Sequence, residues 1–161
     1  MKRSEINEVL RENVELCRRF SIHLPKWGLW SPEQWEQAGH EYDEIRDCRL
    51  GWDITDYGGG DFAAKGLSLF TIRNGHPHLK EQYPKTYCEK LLIAKEGQVT
   101  PYHFHWSKTE DIICRAGGNL LVFGGVVDSD EQVPACPADD VLCLGPVEVV
   151  RGDLPLLGDQ Q

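Results

Sequence analysis

A chain of 161 residues carrying five Trp, five Tyr and five Phe can close a hydrophobic core without a disulfide scaffold. A net charge of −9 and a pI near 5.1 argue against DNA, RNA or an anionic membrane as partner, since each would be repelled, and leave a neutral small molecule as the easier ligand. The charged start MKRSEINEVLRENVE has no apolar signal core, and no window approaches the ~18 apolar residues of a spanning helix. With six scattered cysteines and no CxxC pair, the expectation is a cytoplasmic protein with reduced thiols, several of them buried.

In chain order, residues 4–20 place Ile6, Val9, Leu10, Val14, Cys17 and Phe20 at helical spacing, and Ser4 is a candidate cap. Ser31-Pro32-Glu33-Gln34 predicts a second helix, with Ser at the cap, Pro at the first position and Gln reaching back, ending near Gly39. Residues 52–62 read as an aromatic and acidic tract in which Gly58-Gly59-Gly60 form a bent loop. These glycines lack the helix start and lysine of a phosphate loop. Strands are expected over 67–73, 85–95, 99–106, 109–115, 119–127, 141–144 and 147–150, with Asn74-Gly75 as a turn and an acidic, proline-bearing loop over 128–140. Helices followed by many short strands predict a mainly β domain with helices packed on a barrel or sandwich. The division is a helical and loop segment, 1–64, and a β-barrel portion, 65–161.

The chemistry concentrates in residues 97–117. His103 and His105 are two apart, so on a strand their imidazoles share one face. Glu110 can return a carboxylate to them from the next strand. Two imidazoles and a carboxylate suit a borderline divalent cation. An HxH pair alone is more often a strand with satisfied histidines. The glutamate at this offset and the flanking Gly97 and Gly117 favour a metal site. Cys114 reads as core rather than ligand. His76-Pro77-His78 is a second HxH, but Pro77 interrupts any ladder, so an exposed turn or site rim is expected there. His23 and His40 read as surface or helix-end residues.

The spacing Gly97, His103, His105, Glu110, Gly117 resembles the first metal motif of the cupins, and the wording YHFHWSKTED over 102–111 is similar to the D-lyxose isomerases, a sugar-isomerase branch of them. Trp27-Gly28 and Trp52-Asp53-Ile54 share in that likeness. The resemblance implies a cupin-type antiparallel β-barrel, or jelly roll, with N-terminal helices. It implies a metal held by His103, His105 and Glu110, with Mn²⁺ the first candidate and Zn²⁺, Fe²⁺, Ni²⁺ or Co²⁺ the others. It further implies interconversion of D-lyxose and D-xylulose, and of D-mannose and D-fructose, with Lys108 in proton transfer. Trp52, Lys90 and Trp106 are the candidate substrate-binding residues, and Phe104, between the ligands, should pack behind the site. The competing readings are another metal cupin, such as an iron dioxygenase, and a catalytically silent sugar-binding cupin.

A cupin metal usually takes a fourth ligand, a histidine from a downstream PxGxxH motif, and this sequence has no histidine after His105. The expectation is a truncated form of a longer enzyme, or a shell completed by water, a partner chain, His76 or His78. Missing strands would leave unpaired edges, from which a homodimer is expected.

Overall fold

The computed structural model describes residues 1–101, 112–120 and 141–144. Helix α1, Arg3–Arg19, is amphipathic as its spacing requires and buries Val9, Asn13 and Cys17. Its cap differs from expectation. Ser4 lies inside the helix, and the Glu5 carboxylate accepts the Lys2 backbone N–H at 2.6 Å. An acid at this position meets an orphan donor and the positive end of the helix dipole together, which Ser4, two residues past the cap, cannot do. Helix α2, Pro32–Glu36, starts as predicted: Ser31 Oγ accepts from Gln34 N at 3.4 Å and Gln34 Oε1 accepts from Ser31 N at 2.8 Å. It stops well before Gly39. A further helix, α3, Asp43–Asp47, had no periodic signal because one and a half turns are too short to show one.

Five antiparallel strands form one sheet in the order β1-β2-β3-β5-β4: β1 Gly51–Thr55, β2 Leu67–Arg73, β3 Glu89–Ala94, β4 Cys114–Gly117 and β5 Val141–Leu144. Among the described residues this sheet is open, with β1 and β4 at its two ends. Strands β2 and β5 have the predicted bounds. β3 is shorter than the expected 85–95 and begins at Glu89; Lys85, ahead of it, pairs with Glu44. β1 was read as part of a loop tract. Val99 makes one parallel bridge to Lys65, and the remainder of the expected 99–106 strand lies mostly outside the described residues. The expected strands over 119–127 and 147–150 also fall wholly or largely outside them. Asn74-Gly75 does not close a hairpin. The chain runs through residues 74–88 before β3 begins.

The two faces of the sheet do different work. Phe70 and its cross-strand partners Trp52 and Leu91 share one face, as does Ile93 two residues on. Phe70, Leu91, Ile93 and Cys17 of α1 are almost wholly buried and form the core. Phe70 is held between two indoles. Trp27 stacks on it at 5.3 Å between centroids, and Trp52 meets it edge-on at 5.0 Å. Burying such a phenyl ring contributes about 1.5–3 kcal/mol. The helical segment is therefore packed against the sheet. The opposite face carries Asp53, Leu69, Thr71 and Lys90, in register across β1, β2 and β3.

Asp56 organises the glycine loop. Its carboxylate accepts N–H groups from Gly58 at 3.0 Å and Gly60 at 3.2 Å, which hold it below the usual carboxylate range. Gly58 and Gly60 both have φ near +75°, which side-chain-bearing residues rarely adopt. Cys17 and Cys48 are buried free thiols, and burial pushes Cys17 up to about 11. Cys114, expected in the core, is exposed, because β4 presents most of its residues to solvent. No helix among the described residues is long and apolar enough to cross a membrane.

Candidate active site

Strands β1, β2 and β3 and the turn that follows α3 line an open cavity of about 400 Å³. Its polar groups are Arg49, Asp53, Thr71, Asn74 and Lys90, and Leu50 and Leu69 add apolar wall. Thr71 and Lys90 are direct cross-strand partners, and Asp53 faces Leu69, so these groups form neighbouring rows on the face turned away from α1. A cavity of this size is in the range that holds small molecules. The mixture of donors, acceptors and both signs of charge suits a ligand rich in hydroxyl groups.

The rim is fixed by residues 74–88. Asn74 Nδ2 donates to the Cys48 carbonyl at 3.0 Å, Tyr83 OH donates to Asp47 Oδ2 at 2.6 Å, and Lys85 pairs with Glu44. All three ties grip α3 or the residue that ends it. The acceptor Asp47 keeps the Tyr83 proton in place and pushes the phenol up to about 12.

Of the residues singled out from sequence, Lys90 and Trp52 both border this cavity. Lys90 lies on the cavity face. The Trp52 indole is turned to the core, where Nε1 donates to the Gly28 carbonyl at 3.0 Å. His103, His105, Lys108, Glu110, Phe104 and Trp106 lie outside the described residues. Among the described residues no three His, Cys, Asp or Glu side chains gather as a metal-ligand group. His76 and His78 have ring centroids 6.0 Å apart. His76 Nδ1 accepts the backbone N–H groups of His78 at 3.1 Å and Leu79 at 2.9 Å. That nitrogen is thus deprotonated and occupied, and the proton of the neutral ring sits on Nε2. Metal ligation through either nitrogen would break this turn, so His76 is poorly set to complete a metal shell. His40, by contrast, bonds Asp43 at a helix start and is fully exposed.

Arg49, Asp53, Thr71 and Asn74 are polar cavity residues that were not singled out from sequence as site residues. Arg49 lies in a run of mixed charge with no motif, and Asn74 was read as one half of a turn.

Among the described residues, an open antiparallel sheet with a helical cover on one face and a polar cavity on the other defines a mainly β architecture. Compared with known proteins, residues 1–147 match the family model described as D-lyxose isomerase. The chain is 50% identical over 123 residues to the D-lyxose/D-mannose isomerase of Serratia proteamaculans, covering 76% of this chain and 54% of that protein. It is 47% identical over 133 residues to the D-lyxose/D-mannose isomerase of Escherichia coli O157:H7, covering 82% of this chain and 58% of that protein. The chain belongs to the D-lyxose isomerase family. It spans little more than half the length of these relatives.

Proposed function

We propose that this chain supplies the metal motif and proton-transfer lysine of an aldose–ketose isomerase acting on D-lyxose and D-xylulose, and on D-mannose and D-fructose, within a cupin barrel. The observation that carries the reading is the union in one family member of His103, His105 and Glu110 at metal-ligand spacing with Lys108 two residues before the glutamate. Two neutral imidazoles and a carboxylate form a donor set that fits a divalent transition ion, with Mn²⁺ the first candidate. Bound there, the ion supplies Lewis-acid charge for the oxygens on C1 and C2 of the sugar.

The remaining work falls to side chains. A proton leaves C2 of the aldose and arrives at C1, while the O2 proton passes to O1, so the atoms balance. Lys108 takes part in this transfer as acid or base. The cavity face built on Asp53, Thr71 and Lys90 would orient the open-chain sugar so that C1 and C2 meet these groups. A homodimer is part of the proposal: β1 is an end strand among the described residues, and a second copy could cover such an edge.

The test is to supply the chain with Mn²⁺ and D-lyxose and to follow D-xylulose by proton NMR, with and without a chelator. Ketose that forms with metal and stops with chelator is the expected result. No ketose with Mn²⁺, Zn²⁺, Fe²⁺, Ni²⁺ or Co²⁺, or turnover indifferent to chelation, would overturn the reading.

A further inference from the structure

Arg49 has a backbone conformation that arginine pays to adopt. Its φ is +54°, at the position directly after the cap of α3. Arg49 N donates to the Arg46 carbonyl at 3.2 Å and Leu50 N donates to the Ile45 carbonyl at 2.9 Å. This paired pattern closes a helix by passing one residue through the left-handed region, and glycine fills that position most cheaply. An arginine there is less stable than glycine for reasons that lie wholly in the backbone.

The side chain so placed borders the cavity. Among the described residues it makes no salt bridge, and neither do its cavity neighbours Asp53 and Lys90. Nearby charges are otherwise used: Arg46 bonds Asp43 and the carbonyls of Gly39 and Ala38, Lys85 pairs with Glu44, and Arg73 pairs with Glu89. The turn that carries Arg49 is held by the bond from Asn74 to Cys48, and α3 by the Tyr83–Asp47 and Lys85–Glu44 ties. Arg49 is exposed at the edge of the cavity, where the absence of an ion pair is ordinary for an arginine; it is the left-handed backbone and the braced turn at this edge that point to a ligand contact rather than to a helix end alone.

We propose that Arg49 is a substrate-binding residue of this cavity, and that with Asp53 it grips neighbouring hydroxyls of an uncharged open-chain sugar. This rests on the isomerase reading for the identity of the sugar. The guanidinium donates to hydroxyl oxygens, and the Asp53 carboxylate accepts hydroxyl protons. A vicinal diol satisfies both at once. Asn74 has its amide nitrogen engaged with Cys48 and so offers its oxygen as a second acceptor. A phosphorylated sugar would gain Arg49 and Lys90 but would meet Asp53, a fixed negative charge on the same face. A vicinal diol uses the Asp53 carboxylate and a phosphate does not, which is why the ligand class taken here is a neutral polyol.

The experiment measures binding of D-mannitol, an open-chain polyol with no carbonyl to react, to the Mn²⁺-supplied chain by calorimetry. Wild type, Arg49→Gly and Arg49→Lys are compared, with thermal melts of each. Arg49→Gly should weaken D-mannitol binding on the order of 10-fold while its Tm stays level or rises by about 2 °C, because glycine relieves the left-handed turn. Arg49→Lys should bind with intermediate strength, keeping the charge but losing the planar fork. Where ketose forms, the loss in Arg49→Gly should appear mainly in KM. Equal D-mannitol affinity in wild type and Arg49→Gly would overturn the inference and leave the isomerase reading intact. Sugar binding that depends on Arg49 without any ketose from D-lyxose would do the reverse. Binding of D-mannose 6-phosphate more than about 10-fold tighter than D-mannitol would overturn the neutral-polyol assignment, and no binding of D-mannitol or D-lyxose at all would overturn both.

Discussion

The Gly28 carbonyl accepts the Trp52 indole N–H at 3.0 Å, and a β-carbon on Gly28 would stand 2.7 Å from the Phe70 ring. The two tryptophan-bearing segments that carry part of the family likeness, Trp27-Gly28 and Trp52-Asp53-Ile54, thus meet over one phenyl ring. Gly28 is needed for close approach. Gly28→Ala should destabilise the fold by about 1–3 kcal/mol, since Phe70 is enclosed on all sides and cannot yield. Urea unfolding checks this: a lowered midpoint with an unchanged slope is expected, and an unchanged midpoint would mean that the ring moves freely.

This packing was only half legible in sequence. A strand-like run of apolar and β-branched residues ahead of a turn signal exposed β2, and Ser31-Pro32-x-Gln34 exposed the start of α2 through its capping chemistry. Strand β1 stayed hidden. Its five residues include a glycine and an aspartate, and their place in the sheet is set by the pairing of Trp52 with Phe70, a long-range relation. Helix α3 was hidden for another reason, that one and a half turns are too short to show a period, and Arg49 was hidden with it. Lys90 could be read as a site residue, whereas the strain at Arg49 is a property of the folded turn.

Tyr83 and Asp47 predict an alkaline transition. The folded phenol is pushed from 10 up to about 12. A group raised in the folded state gives stability that is fully present below the unfolded value of 10 and is lost as pH climbs through the folded value. Wild type should therefore lose stability between pH 10 and about 12 more steeply than Tyr83→Phe. Chemical denaturation of both proteins across that interval measures the difference, and parallel curves would contradict it.

His76 predicts a separation of turn and metal. Because its Nδ1 accepts two backbone N–H groups, His76→Ala should loosen residues 76–83, seen as faster amide exchange there, without changing Mn²⁺ affinity. A drop in affinity of 10-fold or more would show that His76 reaches the metal in spite of the turn.

Lys108 predicts a separation of chemistry and ligation. Lys108→Ala should cut isomerisation by on the order of 10²-fold and leave metal content nearly unchanged, because proton transfer and not coordination is its assigned role. Assay of D-xylulose formation alongside metal analysis decides this. Equal turnover would return Lys108 to an ordinary surface lysine.

The central claim is that His103, His105 and Glu110 together hold a divalent cation. Mn²⁺ titration followed by electron paramagnetic resonance tests it most directly, because free and bound ion are distinguished without any need for turnover. Wild type should take up a single Mn²⁺, and His103→Ala, His105→Ala and Glu110→Gln should each weaken uptake by at least about 10-fold, in line with the loss of one direct donor. Uptake that is unchanged in all three variants, or absent in the wild type, would contradict the account.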